Sequence, residues 1–140
     1  MKERRTRQLA AVYDVVCAAR DHPTAEAVCA RVRRTLPRVS LGTVYRNLQK
    51  LAGQRRLRVL HLTDRSARYD AMLDEHDHFL CDACGAVTDL TRLSAAQPDT
   101  TALGRAGYAV HTHALILYGQ CPACRRRTTR RRRSSRHLDH

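Results

Sequence analysis

The stretch EHDHFLCDACGAV, residues 75–87, places two histidines, three acids and two cysteines within thirteen positions. Thiolates are soft ligands that select zinc, whereas imidazole and carboxylate together suit iron or manganese. The pattern is therefore either one mixed metal site or two sites with different work. Cys81 and Cys84 form one C-x-x-C pair and Cys121 and Cys124 another, with 36 residues between the pairs. Each pair can clamp one edge of a tetrahedral ion, and four thiolates make a structural zinc shell. Gly85, directly after Cys84, suits the tight turn of a zinc knuckle. Four protein ligands leave no open position, so such a site is non-catalytic; it contributes on the order of 10 kcal/mol to folding. The plainer alternative is four buried or redox-active cysteines. Cys17 and Cys29 each stand alone on an apolar helix face, where a small buried hydrophobe is expected.

His76 and His78 are two residues apart. On a strand that puts both rings on one face and Asp77 on the other. Asp70 lies six residues before His76, and Asp89 five residues after Cys84. Imidazoles with carboxylates suit Fe(II) or Mn(II), while zinc sensing usually recruits a thiolate as well. His22 is remote in sequence. Taken alone it is a surface or capping histidine, and periodicity does not join it to the others.

The elements that must position these residues fall into two sets. Leu9, Val12, Val16 and Ala19 recur at helical spacing and predict a helix over 7–20. Pro23 pushes His22 out of helical conformation. Thr24 is an N-cap for a second helix with Glu26 in its first turn, and Val28, Val32 and Leu36 form its apolar stripe up to Pro37. Ser40 caps a third helix that buries Leu41, Val44, Leu48 and Leu51 and stops at Gly53. The segments RLRVLHL and ARYDAML flank TDRSA and predict a β-hairpin. Three helices followed by a hairpin is the order of a winged helix-turn-helix, whose third helix enters the major groove while the hairpin touches the backbone. Beyond residue 74, HDHFLC and GAVTDL read as strands, residues 93–106 as a weak helix starting near Pro98, and YAVHTHALILYG as a strong strand. The fold class is α+β: an N-terminal winged helix-turn-helix, then a small α/β domain with a four-cysteine zinc site.

The chain has 140 residues and a formal charge of +13, which points to a polyanionic partner, nucleic acid before an anionic membrane. The last sixteen residues hold eight Arg and one Asp, which leaves +6 on the first 124. That low-complexity tail, 125–140, is expected to be disordered. No apolar run is long enough to span a membrane, and the basic N-terminus lacks a clear cleavage site, so a cytoplasmic location is expected. A reducing compartment favours thiols or metal ligands over disulfides.

The ordered pieces HPTAEAV, PRVSLGTVYRNLQKL, ARYD, HDHFLCDACG, VTDL and LILYGQCPAC, spread over residues 6 to 124, resemble the ferric uptake regulator family of metal-dependent repressors. The resemblance implies a homodimer that binds a palindromic double-stranded DNA operator. It divides the chain into a winged-helix DNA-binding domain with hinge (1–70), a dimerisation and metal-sensing domain (71–124) and the tail. The peroxide-sensing branch is the nearest likeness. Its regulatory His, Asp, His, His, Asp set falls on His22, Asp70, His76, His78 and Asp89, with Fe(II) or Mn(II) as the ion and structural zinc on the four cysteines. The iron-sensing branch commonly has Glu near the positions of Asp70 and Asp89, and the zinc-sensing branch adds a cysteine that residues 70–80 lack. The resemblance implies that the ion ties the two domains together and that losing a ligand opens the dimer. An iron-, manganese- or zinc-responsive repressor without peroxide sensing is the alternative.

On the third helix, Tyr45 and Arg46 point away from Val44 and Leu48 and are the expected groove contacts, with Thr43 and Asn47 beside them. Arg56, Arg58 and Arg65 are expected at phosphates or as solvated surface. The chain departs from the family in three places. The family carries a further helix before the R-x-T-x-Q segment matched by Arg4 to Gln8, so either the natural start lies upstream or part of the DNA contact is lost. Leu9 replaces the usual Arg, and the basic tail has no family counterpart. A second sensor site of some iron-sensing members is matched by His113 and Asp77, but Glu75 replaces a His and Ala96 an acid. An enzyme is not expected, because a five-ligand cage leaves little room for substrate and no general base stands beside it. A zinc-ribbon module that binds RNA or protein through the Arg tail is a further rival.

Overall fold

The structure is a computed structural model and describes residues 1–90 and 99–135. It divides into two compact units, Met1–Asp74 and Glu75 onward.

In the first unit, helix α1 spans Lys2–Ala18, α2 Ala25–Val32 and α3 Leu41–Gly53, followed by strands β1 (Arg58–His61) and β2 (Ala67–Asp70). Both predicted caps are made: Thr24 Oγ1 accepts from the Ala27 amide at 3.2 Å, and Ser40 Oγ from the Thr43 amide at 3.1 Å. The three helices and the hairpin enclose one apolar core containing Val12, Val16, Val28, Val32, Val44, Leu48, Leu51 and Tyr69. β1 and β2 pair antiparallel, Arg58 opposite Asp70 and His61 opposite Ala67. The Tyr69 amide donates to the Pro23 carbonyl at 3.1 Å, so the second strand is stitched to the turn before α2.

Four local expectations are corrected. α1 begins at Lys2 rather than residue 7, because Lys, Glu, Arg and Gln are all good helix formers although the apolar period starts only at Leu9. α2 ends at Val32, and Leu36 packs on the core from the following turns. Gly53 closes α3 without leaving helical geometry; the left-handed residue is Arg55, with φ 56°. The Arg56 amide then reaches the Leu51 carbonyl at 2.9 Å, which satisfies an end-of-helix acceptor. Cys17 is exposed, not buried, because the core side of α1 is taken by Val12 and Val16; Cys29 is buried as expected.

In the second unit, β3 (His78–Cys81) is the middle strand of three. β4 (Val87–Asp89) pairs with it antiparallel and β5 (Ile116–Gly119) parallel. A short helix α4, Thr101–Arg105, and a terminal helix α5, Pro122–Ser135, complete it. The strand expected over residues 108–119 is strand only from Ile116. Among the described residues β5 pairs on one side only, and its partner β3 is four residues long. The expected start of a helix at 93–98, and Ala96 with it, lies outside the described residues. The tail expected to be disordered from 125 continues as helix to Ser135. Arg is a strong helix former, and Thr128 and Thr129 return their hydroxyls to the carbonyls of Cys124 and Arg125, at 3.1 and 2.9 Å.

Two changes test this account of the first unit. Arg55→Gly removes a side chain from a left-handed position and is expected to raise stability by about 0.5–1 kcal/mol. Leu48→Ala, in the fully buried centre, is expected to cost about 2–5 kcal/mol. Denaturant unfolding of the full chain measures both.

Candidate metal centres and nucleic-acid interface

The four cysteines converge in the second unit. Cys81 ends β3, and Gly85, at φ 73°, turns the chain back with its amide on the Cys81 carbonyl at 2.7 Å. Cys121 precedes α5 and Cys124 lies in its first turn. One sulfur from each lies within 4.8 Å of the others, and Cys84 Sγ is 4.0 Å from Cys121 Sγ. A tetrahedral ion with zinc–sulfur bonds of 2.3 Å needs sulfurs about 3.8 Å apart. The Cys121 amide donates to Cys81 Sγ at 3.3 Å, and with the amides of Cys84 and Ala83 it holds the Cys81 thiol down to about 6. Cys124 is pushed up to about 12, first by its hydrogen bond with Cys121, then by burial and the other thiols. Thiols at this spacing cannot all ionise together unless a cation takes up their charge. The donor set thus fits a divalent, thiophilic ion.

The hard ligands form one arrangement within each unit. In the second, His78 stands opposite Asp89 across the β3–β4 pair. Asp89 Oδ1 is 3.2 Å from His76 Nε2 and 3.4 Å from His78 Nε2, and the two rings lie 4.4 Å apart. Ligand atoms around an ion with bonds near 2.1 Å sit roughly 3.0–3.4 Å apart. The two rings are almost wholly buried, 1% and 3% exposed, while the carboxylate keeps 27%. In the first unit, His22 sits in the left-handed region at φ 48°, just before Pro23. Asp70 closes β2; its Oδ1 accepts from the Met72 amide at 2.8 Å, and its Oδ2 lies 3.6 Å from His22 Nε2. Arg68 donates to the His22 carbonyl at 3.3 Å, which holds the turn from the other side. Backbone strain of this kind is concentrated at functional sites. Among the described residues, Glu75, Asp77 and His113 do not gather into a further cluster; Glu75 instead accepts from Thr112 at 3.2 Å.

The expected DNA contacts are placed as follows. Tyr45 donates its hydroxyl to Glu26 at 3.0 Å, and Arg46 donates to Thr43 Oγ1 at 3.1 Å. Thr43, Arg46 and Asn47 line a hollow of about 680 Å³ with Lys2, Arg5 and Lys50. The last three are candidates that the period of α3 could not reveal, since two of them belong to α1. Arg56 stacks over the Tyr13 ring, 4.1 Å from its centre, and Arg58 donates to the Leu73 carbonyl at 2.8 Å. Arg65 occupies the hairpin turn at φ 64°.

Residues 1–118 match the ferric uptake regulator family. The chain belongs to that family. The peroxide operon regulator of Bacillus subtilis is 29% identical over 119 residues, covering 85% of this chain and 82% of that one. The Campylobacter jejuni peroxide stress regulator superposes with a TM-score of 0.74 at 25% identity, covering 88% of this chain and 93% of that one. The Helicobacter pylori ferric uptake regulator shares the fold, with a TM-score of 0.71 at 22% identity and coverage of 85% and 80%. This member is accordingly a metal-responsive transcriptional repressor and not an enzyme. Among the described residues no helix is long and apolar enough to cross a membrane.

The thiol cluster yields a prediction. Cys84→Ser or Cys121→Ser is expected to release the tightly held zinc and unfold the second unit, because a four-thiolate site supplies on the order of 10 kcal/mol. Native mass spectrometry and amide exchange read the outcome. A variant that keeps one bound zinc and native protection of β3 and β4 contradicts the assignment.

Proposed function

We propose that this regulator senses peroxide through Fe(II) bound by His22, Asp70, His76, His78 and Asp89, and that the four cysteines hold zinc. The observation that carries the reading is the donor set. The hard-ligand group of each unit contains only imidazole and carboxylate, a His–Asp pair in one and a His–His–Asp triad in the other. Such donors suit Fe(II) or Mn(II), and neither group includes a thiol that would favour zinc. The likeness to peroxide regulators of Bacillus subtilis and Campylobacter jejuni supports the same choice.

Bound Fe(II) supplies one-electron reduction of peroxide, which Mn(II) does not readily supply. The protein supplies the target. In net terms, one oxygen of hydrogen peroxide adds to an imidazole carbon of His22 or His76, the ring loses two electrons, and the other oxygen leaves as water. The altered ring is a poorer ligand. A hinge held by all five ligands then loses the differential binding that keeps it in the DNA-competent state. The DNA partner is a palindromic operator bound by a homodimer, with α3 in the major groove. Tyr108, Val110, Leu117 and Tyr118 are exposed on the second unit, and that apolar edge is where a second copy would add.

Two measurements test the proposal. Iron-loaded protein given low peroxide is expected to gain one oxygen on a peptide holding His22 or His76 and to leave its operator, whereas the manganese form does neither. If the iron form stays on DNA through peroxide and leaves only on chelation, the protein is an iron- or manganese-responsive repressor instead. The second is His22→Asn, which keeps a residue tolerant of positive φ. It is expected to retain fold and zinc and to weaken metal-activated operator binding at least tenfold. An unchanged metal response removes His22 from the site.

A further inference from the structure

The family match ends at residue 118, yet the most concentrated charge of the chain follows it. α5 starts inside the thiol cluster: Cys124 is buried, and Arg127 Nη2 approaches its sulfur at 3.8 Å. The Arg125 amide donates to the Cys121 carbonyl at 3.0 Å, so the first turn of the helix closes on the segment that carries Cys121 and Cys124. From Arg125 to Arg132 every residue is exposed. Arg126 and Arg130 are one turn apart, on the side of the helix away from Cys124. With Arg125 they line a hollow of about 530 Å³, closed by Gln120, Pro122 and Thr129. Among the described residues no carboxylate pairs with Arg125, Arg126 or Arg130.

Like charges four apart on a helix repel, so Arg126 and Arg130 disfavour each other until an anion meets them. An isolated helix of fourteen residues is marginal, and its docking to the thiol cluster is what makes it a fixed element. The partner must be strongly anionic and extended. A membrane surface fits poorly, because residues 125–135 contain no apolar side chain to enter it. The geometry points to α5 as a second DNA-binding element that lies on the phosphate backbone, independent of base sequence. Arg125 to Arg132 spans about 11 Å, or roughly three base-pair steps. About three phosphates are then within reach, and zinc, by fixing the first turn, sets where the helix points. The inference rests on the DNA binding of the family and not on peroxide sensing.

The test uses full-length, zinc-containing, Mn(II)-loaded protein, so that the sensing proposal does not enter. Arg125, Arg126 and Arg130 are changed together to Gln, which keeps helix propensity, and separately to Lys, which keeps charge. Binding is measured against salt on operator DNA, on unrelated duplex, and on vesicles of phosphatidylserine and phosphatidylcholine. The Gln variant is expected to lower the salt slope by about 2–3 on both duplexes for each subunit whose helix engages. Its affinity loss between 50 and 200 mM salt should therefore be roughly 40-fold smaller than that of the parent for each such subunit. The Lys variant should keep the parent slope, and operator preference should survive in both. An unchanged slope in the Gln variant overturns the inference. So does a loss confined to vesicles, which makes the helix a membrane element, or a collapse of operator preference, which makes it a reader of bases.

Discussion

Four thiols within 4.8 Å of one another constitute the constraint on which the second unit depends. Their charge is unfavourable without a cation, and the two pairs are 36 residues apart in sequence. Cys81 sits at the end of the central strand, Cys84 in the turn after it, and Cys121 and Cys124 where β5 gives way to α5. An ion held there fixes the parallel pairing of β3 with β5, a pairing that closes late because 36 residues separate the pairs. It also fixes what lies upstream on the same strand. His78 is three residues before Cys81, and its cross-strand neighbour is Asp89. The hard triad therefore inherits its geometry from the soft tetrad, although the two share no ligand. That arrangement answers why a thirteen-residue stretch carries both kinds of donor: one builds the platform and the other stands on it.

The first unit solves a different problem. His22 must be held in a conformation that most residues avoid, and two links to backbone carbonyls do so: Tyr69 reaches the Pro23 carbonyl and Arg68 the His22 carbonyl. Both come from the end of the hairpin, where the Met72 amide orients the Asp70 carboxylate. β2 is thus more than a wing for DNA. It fastens the turn before α2 and delivers Asp70 to His22 in the same few residues, so the position of the pair is coupled to the core through Tyr69, which is buried.

Much of this was legible because its causes are local. Thr24 and Ser40 announce helix starts by their own side chains, and the spacing of Val28, Val32, Val44, Leu48 and Leu51 announces the core. The C-x-x-C pairs and the His-x-His pair carry their chemistry in their spacing. The joining of His22 to Asp70 was not legible from pattern, since it depends on a hairpin folding back across 48 residues, and only the likeness to a family suggested it. The early start of α1 and the helix over Arg125–Ser135 escaped for another reason. Both are polar, and periodicity sees only helices that bury a face, whereas propensity and anchoring make these two. The expected strand from Tyr108 failed because a strand needs a partner as long as itself.

Charge completes the account. The positive charge lies in the first 70 residues and the last sixteen, while residues 71–124 hold more acids than bases; basic side chains are used in distinct ways. Some serve the fold: Arg56 covers Tyr13, Arg68 secures a carbonyl, and Arg31 pairs with Asp21 and holds its carboxyl below the usual carboxylate range. Others gather around α3, where Arg5 and Lys2 of α1 face Arg46 and Lys50 across one hollow. A third set lies on α5, where Arg125, Arg126 and Arg130 line one hollow. Exposed charge that serves no packing destabilises a compact state through repulsion and is tolerated where a partner neutralises it. By that criterion the first group is structural, and the other two point to the same polyanion from different units of the chain.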